Sequence, residues 1–138
     1  MVQLRSIIKP ADNCGARSVQ VVHVYKGHFH KKGSIGDVVL AVVKDAIPGG
    51  LVKKKEKVKM VIVRTKKEFG RADGSYIRFS DNAGVVIDSQ NNPRGTRIFG
   101  PIAREIKDLG FNKIASMLPL FFLLFSFFVT KSSIFLPI

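Results

Sequence analysis

The 138-residue chain carries 23 Lys/Arg against 10 Asp/Glu, a formal net charge of +13. This length suits one domain with its own core rather than two. So large a basic excess indicates a polyanionic partner, most often nucleic acid and less often an anionic membrane surface, over a merely solvated surface of mixed charge. The single cysteine excludes an internal disulfide and a cysteine metal cluster.

The charge is unevenly distributed along the chain. Residues 1–110 hold 21 of the 23 basic residues and all 10 acidic ones, so their net charge is 21 − 10 = +11. The stretch 117–129, "MLPLFFLLFSFFV", has one polar residue, Ser126. We predict a folded domain over 1–116 followed by an atypical hydrophobic extension over 117–138. The opening residues lack the pattern of a secretory signal or a transit peptide, so neither is expected there.

Six segments have the β-branched, partly alternating composition of strands. They are 3–8, 18–25, 37–44, 58–65, 75–79 and 84–88. Turns rich in Gly, Asn and Asp separate them, and the run 37–44 is apolar enough to be buried on both faces. Five or more short strands about a dozen residues apart, without intervening helices, predict a mainly β fold, a small closed or nearly closed antiparallel barrel.

One helix is predicted over 101–110, "PIAREIKDLG", because Pro favours the first turn of a helix and Gly the position after its end. Its apolar stripe comprises Ile102, Ile106 and Leu109. This helix is expected to plug or flank the barrel. A second helix over 115–129, broken or bent at Pro119, is also expected.

No catalytic constellation is present, and we predict that the chain is not an enzyme. The acidic residues are scattered singly, and no phosphate-binding loop or dinucleotide fingerprint occurs. His28 and His30 could share a metal, but two ligands make a poor site. Next to Lys31 and Lys32 they favour an RNA-facing loop, so no metal or cofactor is expected.

Three further basic clusters lie near predicted turns. They are "KKKEKVK" at 53–59, "RTKKEFGRADG" at 64–74 and "GTRIFGP" at 95–101. Lysine pairs with phosphates as a point charge, whereas arginine can also fork to phosphate or stack on a base. No aromatic ladder, helix-turn-helix or RNA-recognition motif accompanies the clusters. They predict recognition of folded RNA through shape and phosphates.

Four segments together resemble a known family. They are "ADNCGARSVQVVHV", "GDVVLAVVKDAIPGG", "VIVRTKKEFGRADGSYIRFSDNAGVV" and "NPRGTRIFGPIAREI". From Val2 to about Ser116 the chain resembles the universal large-subunit ribosomal protein fourteen family, bacterial or organellar type. The resemblance implies a five-stranded β-barrel with one or two short C-terminal helices and no catalytic activity.

The resemblance also implies partners. The family binds large-subunit rRNA at the face that meets the small subunit, contacts small-subunit rRNA across it, and packs against neighbouring large-subunit proteins, including number nineteen in bacteria. A ribosome-silencing factor can dock nearby. The implied location is the ribosome, in the bacterial cytoplasm or inside a mitochondrion or plastid.

Two sets of residues are site candidates, from the basic clusters and the resemblance together. The rRNA-binding candidates are Lys26, His28, His30, Lys31, Lys32, Lys53, Lys54, Lys55, Arg64, Lys66, Lys67 and Arg71. The candidates for contact with a protein or with the subunit interface are Thr96, Arg97 and Phe99. Cys14 stands where many relatives have Ser, and no redox role is expected for it.

The extension departs from the family pattern. A membrane anchor is one hypothesis, but only 17 uncharged residues separate Lys113 from Lys131, fewer than the about 20 typical of a spanning helix. A membrane partner is therefore not expected. Packing on another protein of the assembly and a genetic accident are the alternatives.

Overall fold

The computed structural model describes residues 1–117. Within that range the chain forms nine strands and two short helices. They are β1 (Val2–Gln3), β2 (Ile7–Pro10), β3 (Ala16–Val24), β4 (Lys32–Gly33), β5 (Val38–Ala46), β6 (Lys57–Arg64), β7 (Phe69–Gly70), β8 (Tyr76–Ile77), β9 (Ala83–Ile87), α1 (Glu105–Asp108) and α2 (Asn112–Ser116).

Five of these strands close into a barrel in the order β2-β3-β5-β6-β9. Four of its pairings are antiparallel, but β2 and β9 close the barrel in parallel, with Lys9 opposite Ala83. The mainly β barrel with short C-terminal helices is confirmed, and its sheet is mixed rather than purely antiparallel. Closure leaves no free edge among the five strands, and this protects a β domain from edge-to-edge association.

The barrel interior is filled by alternate side chains of the five strands. Along β5, Val39, Ala41 and Val43 are buried in the interior, and along β6 Val58, Met60 and Ile62 meet them. Side chains alternate between the two faces of a strand, so a period-two run of Val, Ile and Met specifies one inward face. Irregular register between β3 and β5 and near the end of β6 adds the bending that a small barrel needs.

A second core lies on the outer face of β6 and β9. There Val61 and Val85 pack against the segment that follows the barrel, which contributes Ile102, Ile106 and Ile114. The C-terminal segment therefore flanks the barrel, one of the two placements expected for its helix. It also buries β9, and β6 from Met60 to Arg64, on both faces.

The strand predicted to be buried on both faces was the wrong one. On β5 the outward side chains Val38, Leu40 and Val42 are only partly buried. The C-terminal segment covers β6 and β9 instead, and of these three residues Val38 alone packs against the second core. The apolar composition of a strand therefore did not predict which strand the C-terminal segment packs against.

Two other elements differ from their predictions. The predicted strand 75–79 supplies only β8, which pairs with β7 in a separate two-stranded ribbon outside the barrel. The helix predicted over 101–110 shortens to α1. The carbonyl of Pro101, which would accept a hydrogen bond from Glu105 in a longer helix, accepts one from Arg64 instead, at 3.2 Å.

The apolar stripe of that helix is also shorter than predicted. Ile102 and Ile106 are buried, but Leu109 is 58% exposed. Within residues 1–117 no helix has the length and apolarity to cross a membrane. The expected second helix begins earlier, as α2, and the rest of its predicted span lies outside the described residues.

Candidate nucleic-acid interface

The barrel presents its loops at two opposite ends. At the Lys53 end, the turns 11–15, 47–56 and 88–97 are joined by hydrogen bonds such as that from the Leu51 amide to the Cys14 carbonyl, 2.9 Å. At the Lys66 end lie the loops 25–37 and 65–82. The basic clusters predicted from the sequence are therefore divided between two surfaces.

At the Lys66 end, the loop between β3 and β5 carries Lys26, His28, His30, Lys31 and Lys32, all exposed. Its base is fixed by an ion pair between the Lys26 ammonium and the Asp37 carboxylate, 3.0 Å apart. That carboxylate also accepts the Ser34 amide at 2.7 Å. Lys26 is thus engaged as an anchor, and the other four side chains project from the loop that it holds.

The loop after β6 adds two exposed cations at the same end, Lys66 and Lys67. The Lys66 amide donates to the Asn82 side-chain carbonyl at 2.9 Å, so the backbone there is fixed while the ammonium stays in solvent. Lys67 lies 3.7 Å from Glu68 in an exposed ion pair, a contact of small energy that a phosphate can replace.

At the Lys53 end, Lys53, Lys54 and Lys55 are exposed on the turn before β6. Lys55 has a φ of +70°, a conformation that costs an ordinary residue energy. Glu56 holds the turn, because its carboxylate accepts the Lys53 amide at 2.8 Å and pairs with Arg94 at 3.0 Å. These two contacts lower the pKa of Glu56. The three ammonium groups are therefore presented on a braced turn.

The predicted protein-contact loop is braced by a side chain that the sequence analysis did not single out. The side-chain carbonyl of Asn13 accepts the amides of Thr96 and Arg97, at 2.8 and 3.1 Å. Its amide group donates to the Thr96 hydroxyl at 2.8 Å. The Arg97 guanidinium lies over the Phe99 ring, 5.2 Å from the centroid, and Phe99 is 46% exposed. The loop presents a cation and a ring side by side on a fixed backbone.

Both arginines of the predicted rRNA-binding set have largely buried side chains. The side chain of Arg64 is 9% exposed; it pairs with Asp81 at 3.1 Å and donates to the carbonyl of Phe99 at 2.9 Å. The side chain of Arg71, also 9% exposed, pairs with Glu105. These contacts tie Arg64, at the end of β6, to the loops around Asp81 and Phe99, and tie Arg71 to α1. Both guanidinium groups are largely buried, and rRNA binding by these two residues stays a prediction.

Cys14 is fully buried, and its thiol donates to the Asp12 carboxylate at 2.8 Å. Burial, together with this hydrogen bond, raises the pKa of the Cys14 thiol to about 12. Burial likewise raises the pKa of Asp12, against the opposing effect of donation from Cys14 and from the Val86 amide. The pair links the turn 11–15 to β9, in keeping with a structural cysteine.

We expect the Cys14 thiol to be unreactive in the folded chain. Burial and the hydrogen bond to Asp12 raise its pKa to about 12, so the reactive thiolate is far scarcer at pH 8 than in an ordinary thiol. Alkylation followed by mass spectrometry should proceed at least roughly a hundredfold faster in denaturant than in buffer. Folded and unfolded rates within a few-fold of each other would contradict this placement.

A comparison with known proteins decides what kind of basic barrel this is. A protein-family model described as ribosomal protein L14p/L23e matches residues 1–122. The chain belongs to this family. The resemblance seen in the motifs is thereby confirmed.

Membership of the L14p/L23e family makes the chain a structural protein of the large ribosomal subunit, located in the ribosome. This family is structural and non-enzymatic, and among residues 1–117 no group of three or more His, Cys, Asp and Glu side chains could hold a metal ion.

Proposed function

We propose that this protein binds large-subunit rRNA through the two basic ends of its barrel, at the subunit interface, and contributes to contact with the small subunit during translation. The observation that carries the proposal is the division of exposed lysines between two fixed loop surfaces on opposite ends of one barrel. A protein with phosphate contacts at both ends can join separate RNA segments.

The rRNA contacts that we propose comprise the exposed members of the predicted set. They are His28, His30, Lys31, Lys32, Lys53, Lys54, Lys55, Lys66 and Lys67, with Lys26 as the anchor of its loop. Because folding already fixes their backbones, the conformational entropy lost on binding is largely that of the side chains. Contacts of this kind position a protein on RNA without reading bases.

The loop that carries Thr96, Arg97 and Phe99 is our proposed surface for other contacts at the interface. An exposed ring beside a guanidinium is typical of protein-binding sites, where aromatic residues and Arg are enriched. Small-subunit rRNA, a neighbouring protein such as number nineteen of the bacterial large subunit, and a ribosome-silencing factor are the occupants proposed for this face.

Purified large subunits from cells that express the protein test the proposal. After a high-salt wash, the protein should remain in the large-subunit fraction at about one copy per subunit, as measured by quantitative mass spectrometry against neighbouring ribosomal proteins. Its complete release into the wash, with those neighbours retained, would contradict stable binding to large-subunit rRNA.

A further inference from the structure

A cleft opens at the Lys66 end of the barrel, between the end of β3 and the loop that follows it. Its volume is about 610 Å³, within the roughly 300–1,000 Å³ typical of sites for small organic groups. The residues that define it are Leu4, His23, Tyr25, His28, His30 and Lys31. Three imidazoles and a phenol ring thus surround one cleft.

Three of the rings that line this cleft, those of His23, Tyr25 and His28, pack against another ring. The His23 and Tyr25 rings lie 5.1 Å apart at 80°, an edge-to-face pair, and the His28 and Phe29 rings make a second such pair at 5.1 Å and 82°. Edge-to-face contact is a favoured geometry of aromatic pairs. Tyr25 remains 48% exposed, so part of its ring is left for contact with a further planar group.

Cations stand beside the rings. Lys59 points to the same outer surface as His23, because Leu40 on β5 is paired with both residues, and its ammonium lies 5.7 Å from the centroid of the Tyr25 ring. Lys31 also lines the cleft. None of the described residues that line the cleft is acidic. The site therefore suits a planar group that carries negative charge next to it.

We propose that this cleft holds one unstacked nucleobase from a single-stranded stretch of large-subunit rRNA, packed against Tyr25 and the imidazoles, with the flanking phosphates paired to Lys31 and Lys59. This inference rests on the proposed function and adds to it a contact with a base, where the other basic residues contact phosphates. Unpaired bases of RNA are commonly bound on aromatic side chains in this way. The loop is preorganised for it, because Lys26 is anchored on Asp37.

Tyrosine fluorescence in the full-length protein provides a direct test, because the chain has two tyrosines and no tryptophan. The Tyr76→Phe variant retains Tyr25 as its one tyrosine, and the Tyr25→Phe variant retains Tyr76. Both tyrosines are 48% exposed, so the two variants are matched. The probes are a single-stranded adenosine dodecamer and an abasic ribose-phosphate dodecamer of the same charge.

The dodecamer with bases should quench Tyr25 to saturation, whereas the abasic one should leave it unchanged. Tyr76 should respond to neither. In a parallel titration, Tyr25→Leu should weaken binding of the adenosine dodecamer by about tenfold, since one stacked base contributes a factor of this order. Tyr76→Leu should leave that binding as it is.

The proposed function is measured separately with purified bacterial large-subunit rRNA in a filter-binding assay. Binding of the rRNA without quenching of Tyr25, or equal responses to the two dodecamers, overturns the base site and leaves rRNA binding intact. Absence of rRNA binding overturns the proposed function and the base site with it.

Discussion

Replacing Lys53 and Lys54 with Gln is expected to make the binding of large-subunit rRNA less dependent on salt. Both side chains are exposed on the turn that Glu56 braces. Each lysine that neutralises a phosphate releases counterions and adds about 0.7–0.9 to the slope of log K against log salt, so the slope should fall by about 1.4–1.8. At about 0.1 M salt the variant should bind roughly ten- to a hundredfold more weakly, and the deficit should shrink as salt rises.

The matched control replaces Lys107 and Lys113 with Gln. These two lysines are also exposed, but they lie on α1 and α2, outside the predicted surfaces. The control changes the net charge by the same amount, so it separates local phosphate contacts from the overall positive field. Equal changes of slope in the two variants, or no change in either, would contradict phosphate binding by the Lys53 turn.

The Arg64→Met variant is expected to lose about 2–4 kcal/mol of the free energy of unfolding. Methionine retains most of the length of the side chain but has no N–H groups. The carbonyls of Phe99 and Pro101 therefore lose their donors, and Asp81 loses its ion-pair partner. The arginine side chain is 9% exposed, so water does not readily replace these contacts. Urea denaturation of the full-length chain measures the loss.

Arg94→Met is the control for this prediction. Arg94 also forms an ion pair, with Glu56 at 3.0 Å, but its side chain is 34% exposed. Solvent screens such pairs, and they typically contribute no more than about 1 kcal/mol. If the two variants were destabilised by the same small amount, Arg64 would not act as the buried anchor of the loop that carries Phe99.

The barrel itself could be predicted from the sequence because its strands and turns are specified by residues close together in the chain. Alternating Val, Ile and Met residues, such as those from Val58 to Val63, assign an inward and an outward face to each strand by periodicity alone. The turns are equally local, since Gly and Asn favour their conformations. The parallel pairing of β2 with β9 was not predicted, because it joins segments about 75 residues apart, as Lys9 and Ala83 illustrate.

Arg64 shows why the candidate site could only be predicted in part. In the sequence it opens "RTKK" and looks like one more exposed cation of a basic cluster. Its burial depends on the segment around Gly100, whose backbone passes so close that an added Cβ would collide with the guanidinium. Arg64 and Gly100 are more than 30 residues apart in the sequence, so this contact could not be predicted from the composition of the basic cluster.

The aromatic cleft was missed for a similar reason. The sequence places His28 and His30 next to lysines, which favours an electrostatic interpretation. The proximity of Tyr25 to Lys59 and of His23 to the loop is fixed by the register of β3, β5 and β6. The clue available in the sequence was the position of Tyr25 at the end of a Val-rich strand, directly before the basic loop.

Ultraviolet cross-linking of intact ribosomes, with identification of nucleotide-modified peptides by mass spectrometry, shows directly whether both ends of the barrel contact rRNA. We expect large-subunit rRNA adducts on peptides from both ends of the barrel, namely those that contain 25–32, 53–55 and 66–67. Adducts confined to other peptides of this protein, with none from either end, would contradict binding of rRNA through the two ends of the barrel.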